Sequence, residues 1–317
     1  MDLTKVKPHC PFSMPKKELL QSDFNHFCNA KLGLAPNKVQ ADLLRWLDED
    51  HGSGDPSLYS GITDVQLANF YIVAKQNFTL CGLNIMQEIF YLASGGEIKL
   101  FSDVKDGELV EKRDIILGGI ANTTSILLAE RTALNIGAKL SGISTKTKSI
   151  LSEIRKYSED VNLLETRKTT PGLRIYEKYA TRTAGARNHR HGLDCGAMLK
   201  ENHLRSIGSI EIALDNLTNN APILTKIEIE VTNLTEFRAA LKKQPDVIML
   251  DNFSNDDIKI AVQEKNNYNK NIKLELSGNL DEKNINEIST IGVNYLSMGA
   301  LIHKASWVDI SLQLYLS

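Results

Sequence analysis

Between Thr123 and Leu140 the apolar residues Ile126, Ala129, Ala133, Gly137 and Leu140 recur every three or four positions, the spacing of a helix that buries one face. Val39 to Glu49 reads as a second helix, Ile98 to Phe101 as a short strand, and Asp106-Gly107 as a turn, so the region from Phe24 to about Gly119 is α+β in character. Ahead of it, residues 1–20 place Pro8, Pro11 and Pro15 among lysines, which disfavours helix and central strand alike and predicts a loosely ordered leader. Beyond about residue 160 the pattern changes. Short β-rich runs at Asn162–Thr166, Ala197–Leu199, Ile227–Val231, Val247–Leu250, Ile272–Leu276 and Val293–Ser297 alternate with helical stretches, and Asn233 with Glu236 and Ser254 with Asp257 have the spacing of capping boxes. Such alternation predicts a parallel sheet or barrel.

Composition narrows the class of protein. The 317 residues are enough for a large domain and a smaller one, and 42% hydrophobic and 24% charged residues with a net charge of −2 describe an ordinary globular chain. This balance argues against nucleic-acid and polybasic membrane partners, and no run approaches the ~18 uncharged apolar residues of a spanning helix. Cys10, Cys28, Cys81 and Cys195 stand singly, suggesting neither a zinc cage nor a disulfide framework. A reducing, cytoplasmic location is expected.

Chemistry-bearing residues gather where the predicted strands end: Arg167 and Lys168; Lys200 with Asn202 and His203; Glu230; Asp251 with Asn252; Ser277-Gly278; and Ser297 to Gly299. In a βα barrel these ends share the face on which active sites are built. The stretch 167–200 carries Arg167, Lys168, Arg174, Lys178, Arg182, Arg187, Arg190 and Lys200 against Glu177 and Asp194, which implies an anionic ligand; Lys178 and Arg182 also suit a solvated helix face. Ser277-Gly278-Asn279 and Ser297-Met298-Gly299-Ala300 could let backbone N–H groups approach a phosphate. Glu230 and Asp251 could hold Mg²⁺ or sugar hydroxyls. Glu228 shares the strand parity of Glu230, and spacing alone leaves open which of the two acts; Glu230 is nearer the strand end. Arg131, at the margin of the helical stripe, fits a snorkelling residue on spacing alone.

The strings Glu130-Arg-Thr-Ala-Leu-Asn135, Ser141-Gly-Ile143, Thr166-Arg-Lys-Thr-Thr-Pro-Gly-Leu-Arg174, Asn188-His-Arg190, Lys200-Glu-Asn-His203, Glu228-Ile-Glu230, Leu250-Asp-Asn252 and Ser277-Gly278 together resemble the quinolinate phosphoribosyltransferases, from about residue 118 to 312. The resemblance implies an α/β protein with an amino-terminal α/β sandwich domain (21–135), an incomplete, TIM-like βα barrel (136–305) and a last segment (306–317) packing back on the first domain. It implies a pentosyltransferase that joins quinolinate to the phosphoribosyl group of phosphoribosyl pyrophosphate with decarboxylation, giving nicotinate mononucleotide. It also implies a Mg²⁺ cofactor and a homodimer whose Arg131 reaches the partner's quinolinate. Arg167, Lys168, His189, Arg190 and Lys200 would form the carboxylate pocket, Glu230 and Asp251 would face ribose and magnesium, and Ser277, Gly278, Ser297, Gly299 and His303 would lie near phosphates. Lys168, Lys200, Glu230 and Asp251 carry the expected catalysis. Two departures from the family pattern stand out: Ala184-Gly185-Ala186 replaces a glycine triplet, and Lys304 replaces a common serine.

Two other readings share parts of the pattern. A phosphoribosyltransferase-like protein associated with molybdate uptake would have the same fold and another ligand, but the full Thr-Arg-Lys-Thr-Thr-Pro and Asn-His-Arg strings favour quinolinate. A non-catalytic sugar-phosphate-binding barrel would have less need of carboxylates opposite its cations.

Overall fold

The computed structural model describes residues 10–62, 66–278 and 285–316; residues 1–9 of the expected leader and Asn279 lie outside this range. The chain forms two compact units, one of residues 1–145 with 305–317 and one of residues 146–304.

In the first unit β1 (Leu67–Ala74) lies between β5 (Ile115–Asn122) and the last strand of the chain, β12 (Ile310–Leu316), antiparallel to both, and β3 (Lys99–Phe101) extends the sheet beyond β5. The short β2 (Phe78–Thr79) and β4 (Leu109–Val110) pair separately. The helices are α1 (Gln21–His26), α2 (Pro36–His51), α3 (Leu83–Ala93) and α4 (Thr123–Arg155). Helix α3 buries Leu83, Ile85, Met86, Ile89 and Phe90, and Phe90 stacks on Phe70 of β1 with ring centroids 4.5 Å apart. Its first N–H groups, of Gly82 and Leu83, donate to the Asp106 carboxylate at 2.9 and 3.0 Å, so the Asp106-Gly107 turn also supplies the negative charge that a helix start favours.

Two expectations need correction. The segment from Cys10 to Leu20 is tied to the sheet: the Phe12 ring lies 5.3 Å from that of Tyr71, the Lys16 and Lys17 N–H groups donate to Asp103 at 3.1 Å, and Leu19 N–H donates to Leu100 O at 2.8 Å. Prolines that exclude a central strand are compatible with such an edge. Helix α4 runs past Leu140 to Arg155, with Ile143, Ile150 and Ile154 prolonging its buried positions. The two units therefore divide inside this helix, between Thr145 and Lys146, and not at residue 135.

The second unit is built on six parallel strands: β6 (Asn162–Leu164), β7 (Ala197–Leu199), β8 (Ile227–Val231), β9 (Val247–Asp251), β10 (Lys273–Ser277) and β11 (Tyr295–Ser297), in the order β6-β11-β10-β9-β8-β7. Between them come α5 (Arg174–Thr183), α6 (Glu201–Ile207), α7 (Ile210–Asn220), α8 (Leu234–Lys243), α9 (Asn255–Tyr268) and α10 (Ile285–Ile288), and α11 (Ala300–His303) follows β11. Alternation sorts the strand residues onto two faces. Ile229, Val231, Ile248, Leu250, Leu274, Leu276 and Leu296 join Phe237, Ala240, Ile258 and Ala261 in one core. The alternate positions Glu228, Glu230, Met249, Asp251, Glu275, Ser277 and Ser297 therefore look into the barrel. The caps at Asn233 and Ser254 form, each accepting the N–H three residues on. Beyond β6, Arg187 makes a parallel bridge with Leu164, so residues 187–190 stand where a further strand would stand, and the barrel is incomplete.

Gly119 of β5 offers a test of the first unit's packing, because a Cβ there would meet the Phe70 ring directly. Overpacking of this kind costs about 1–3 kcal/mol. Gly119→Val should lower the urea unfolding midpoint accordingly, and an unchanged midpoint would mean that the Phe70–Phe90 stack has room to spare.

Candidate active site

Three groups of predicted residues meet at the strand ends. Lys200 follows β7 and its Nζ lies 3.2 Å from Glu230 Oε2 near the end of β8; Lys200 N–H also donates to His203 Nδ1 at 3.0 Å, fixing the start of α6. Asp251 ends β9 beside Ser277, its register partner at the end of β10. Asn252 next to it adopts a left-handed φ of 56°, donating through Nδ2 to Asp251 Oδ2 at 2.9 Å and through N–H to Ser277 O at 3.1 Å. Gly278, with φ 83°, lies where a Cβ would collide with the Asn252 amide, so two turns approach each other in a way only glycine allows. At Gly299 a Cβ would stand 3.0 Å from Lys168 Cδ, 3.2 Å from Thr166 Oγ1 and 3.4 Å from His303 Cδ2, which places Lys168, Gly299 and His303 together. Ser297 is buried, its hydroxyl turned to Leu276 O at 3.5 Å, so its backbone is the part able to serve a ligand. Arg131 belongs to the first unit, exposed on α4 between half-buried Glu130 and buried Thr132, with Asn135 exposed one turn on.

The cationic side is organised from behind. Glu165, directly after β6, is fully buried with Lys178 of α5. Its carboxylate accepts from Lys178 Nζ, from His189 N–H at 3.0 Å, from Asn188 Nδ2 at 2.9 Å and from Thr181 Oγ at 3.2 Å, while Lys178 Nζ also donates to His189 O at 3.0 Å. Lys178 is thus no part of a solvated face: α5 is covered on every side from Tyr176 to Thr181. Burial lowers its proton affinity and the Glu165 charge opposes that. Arg174 ties two loops together through Thr169 Oγ at 3.0 Å and His191 O at 3.1 Å. Arg190 donates to Gly196 O at 3.0 Å; burial first, then the nearby Arg167 charge, lower its proton affinity, so an anion between the two guanidinium groups would relieve their repulsion. The altered triplet keeps glycine where it is needed: Gly185 has φ 100°, whereas Ala184 and Ala186 fill buried positions. Lys304 is exposed.

Inside the barrel His189 Nε2 faces Glu228 Oε2 at 3.2 Å and Glu275 Oε1 at 3.6 Å. The imidazole Nδ1 accepts Arg190 N–H at 2.7 Å, an arrangement that puts the ring proton on Nε2, toward the carboxylates. Burial disfavours a second proton on His189 and the two glutamates outweigh it, raising its pKa; taking that proton would cost the Arg190 bond. Burial, and next the Glu228 charge, push Glu275 up to about 8. Glu228 and Glu275 each leave Oε1 without a hydrogen-bond partner, and a cavity of about 200 Å³ opens beside them, lined also by Arg187, Arg190 and Tyr295. Among the described residues, His189, Glu228 and Glu275 are the group of three whose ligand atoms converge; Glu230 and Asp251 do not form such a cage.

Sequence reasoning missed Glu165 and Glu275, and took Lys178 for a residue that also suits a solvated face. Glu275 shares the parity of Ser277, the one available signal. Glu165 had none, being one polar residue just past a strand end, and Lys178 had none because a helix buried all round gives no polar face to read.

Cations and carboxylates at adjacent parallel strand ends, with glycine-bearing turns beside them, define an α/β-barrel protein built to hold a multiply charged anion. Models of the quinolinate phosphoribosyl transferase N-terminal and C-terminal domains match residues 58–141 and 143–313. The chain belongs to that family. It is 38% identical over 273 residues, 86% of this chain and 91% of the relative, to a Synechocystis protein named probable nicotinate-nucleotide pyrophosphorylase (carboxylating). A Bacillus subtilis protein of the same name is 35% identical over 85% of this chain and 91% of its own length. The crystal structure of NadC from Streptococcus pyogenes superposes with a TM-score of 0.84 at 33% identity, covering 90% of this chain and 99% of that one.

The carboxyl group of Glu275 has a stability signature. Its folded-state pKa of about 8 lies above the ordinary value of 4.5, so between these values the folded chain keeps a proton that the unfolded chain loses, and stability falls as pH rises. The thermal midpoint should decline more steeply from about pH 5 to about pH 9 in the wild type than in Glu275→Gln; equal slopes would mean that Glu275 is ionised in the fold.

Proposed function

We propose that this chain transfers the phosphoribosyl group of phosphoribosyl pyrophosphate to quinolinate, releasing pyrophosphate and CO₂ and giving nicotinate mononucleotide, a step of NAD biosynthesis. The observation that carries the reading is the adjacency of the Lys200–Glu230 pair to the Asp251–Ser277–Gly278 edge, which puts a cation, two carboxylates and a glycine-bearing turn on neighbouring strands. As pyrophosphate leaves, positive charge grows at the anomeric carbon; Glu230 and Asp251 would stabilise it while Lys168 and Lys200 draw on the departing phosphates. The quinolinate nitrogen then bonds to that carbon. Loss of CO₂ leaves the bonding electron pair on the ring carbon beside the pyridinium nitrogen, whose positive charge stabilises it until that carbon takes up a proton from solvent, and Arg167, His189 and Arg190 hold the dicarboxylate in place for the step. Magnesium would supply further charge neutralisation on the pyrophosphate, with Glu230 and Asp251 as its protein ligands. Backbone N–H groups near Ser277, Gly278, Ser297 and Gly299, with His303, would receive the phosphates.

A homodimer completes the reading: Arg131 is exposed and free to enter a partner's site. The proposed compartment is the cytoplasm, where singly placed cysteines stay reduced, and no helix among the described residues is long and apolar enough to cross a membrane.

Incubation of the purified protein with carboxyl-labelled quinolinate, phosphoribosyl pyrophosphate and Mg²⁺ should release labelled CO₂ with equimolar nicotinate mononucleotide; no release at any enzyme concentration refutes the reading. Lys200→Ala should lower kcat by roughly 10²–10³-fold. Mixing inactive Arg131→Ala and Lys168→Ala proteins should restore part of the activity through hybrid dimers, and persistent inactivity with subunit exchange demonstrated would place Arg131 outside the partner's site.

A further inference from the structure

We infer that the buried Glu165–Lys178 ion pair is a positioning device for the acceptor pocket: it clamps the backbone of His189 so that the His189 and Arg190 side chains are set before the pyridine dicarboxylate arrives. The inference rests on the proposed function and concerns residues that would not touch the substrate.

The geometry behind it is specific. In a complete barrel, residues 187–190 would be held by backbone ladders on both sides. Here Arg187 N–H bonds to Leu163 O at 2.9 Å and Arg187 bridges Leu164, yet at His189 the ladder stops. Its place is taken by charge: His189 N–H goes to the Glu165 carboxylate and His189 O receives the Lys178 ammonium, each at 3.0 Å. The intervening Asn188 is drawn in through Nδ2 to Glu165 Oε2 and Lys178 O, both at 2.9 Å. One rigid, oppositely charged pair therefore fixes both backbone groups of the residue whose imidazole enters the barrel, and the next residue is Arg190.

Stability does not explain the pair. Two charges with no exposed side-chain surface lose their hydration, and an apolar pair of similar volume in such a place is often as stable or more so. What an apolar pair cannot do is direct an N–H and a C=O of the same peptide segment. Removing both charges should therefore leave the fold and misplace the pocket.

The test compares wild type with the double variant Glu165→Leu/Lys178→Met by thermal melting and by steady-state kinetics with each substrate varied in turn. The expected result is a variant that still folds and melts cooperatively, at a lowered temperature because His189 N–H and O lose their partners, with kcat/KM for quinolinate reduced about 100-fold and the KM for phosphoribosyl pyrophosphate within about twofold of wild type. Unaltered constants for both substrates would overturn the inference. So would an equal loss for both substrates, the mark of a merely structural pair. Should the double variant not fold, Glu165→Asp keeps the charge but withdraws the carboxylate by one methylene; it should show the same selective loss, at least about tenfold, and wild-type kinetics in it would overturn the inference. A wild type that makes no product defeats the functional reading and the inference with it, whereas an active wild type beside an unimpaired variant defeats the inference alone.

Discussion

Parallel pairing is the constraint on which the second unit depends. In a parallel ladder every strand ends on the same side, and the register β8–β9–β10 sets Ser277 opposite Asp251 and Glu230 opposite Met249. Residues far apart in sequence are thereby delivered to one rim with no contribution from their side chains. The ladder itself is held by the apolar alternate positions, Ile229, Ile248, Leu274 and Leu296 among them, packed under the helices. This frees the inward positions to be polar, and the barrel interior accordingly carries Glu228, Glu230, Asp251 and Glu275.

That freedom has an energetic cost. Buried carboxylates lose hydration, and they remain only where a proton, a cation or a hydrogen-bond donor compensates. The barrel shows two answers. Glu165 is met by Lys178 and three further donors, whereas Glu275 lies against Glu228 and His189 and keeps its proton to high pH. The first fixes backbone; the second lines the wall that His189 Nε2 faces. Both act behind the rim, so the strand-end cations meet a ligand from a rigid wall.

Much of this was legible in the chain. Six strand ends could be found because each short β-rich run closes on a charged or small polar residue, and Glu228 was flagged by parity alone. The particular substrate was legible only through the Thr166–Arg174 and Asn188–Arg190 strings. Residues 10–20 of the leader were misread because prolines report the lack of a ladder donor and say nothing about packing, which Phe12 provides against Tyr71. The end of the first unit was misplaced because α4 carries its apolar stripe across the division without a break at Thr145. Lys178 was read as solvated because a charge inside a helix looks the same in sequence whether water or Glu165 surrounds it.

The central claim is that the barrel rim holds the pyridine ring on the Arg167–His189–Arg190 side and the phosphate on the turns at Gly278 and Gly299. A crystal structure with bound nicotinate mononucleotide tests it most directly. The account predicts the phosphate within hydrogen-bond reach of backbone N–H groups at these two turns, and the pyridine carboxylate directed toward Arg190. A nucleotide bound in the reverse orientation, or away from the strand ends, would contradict it.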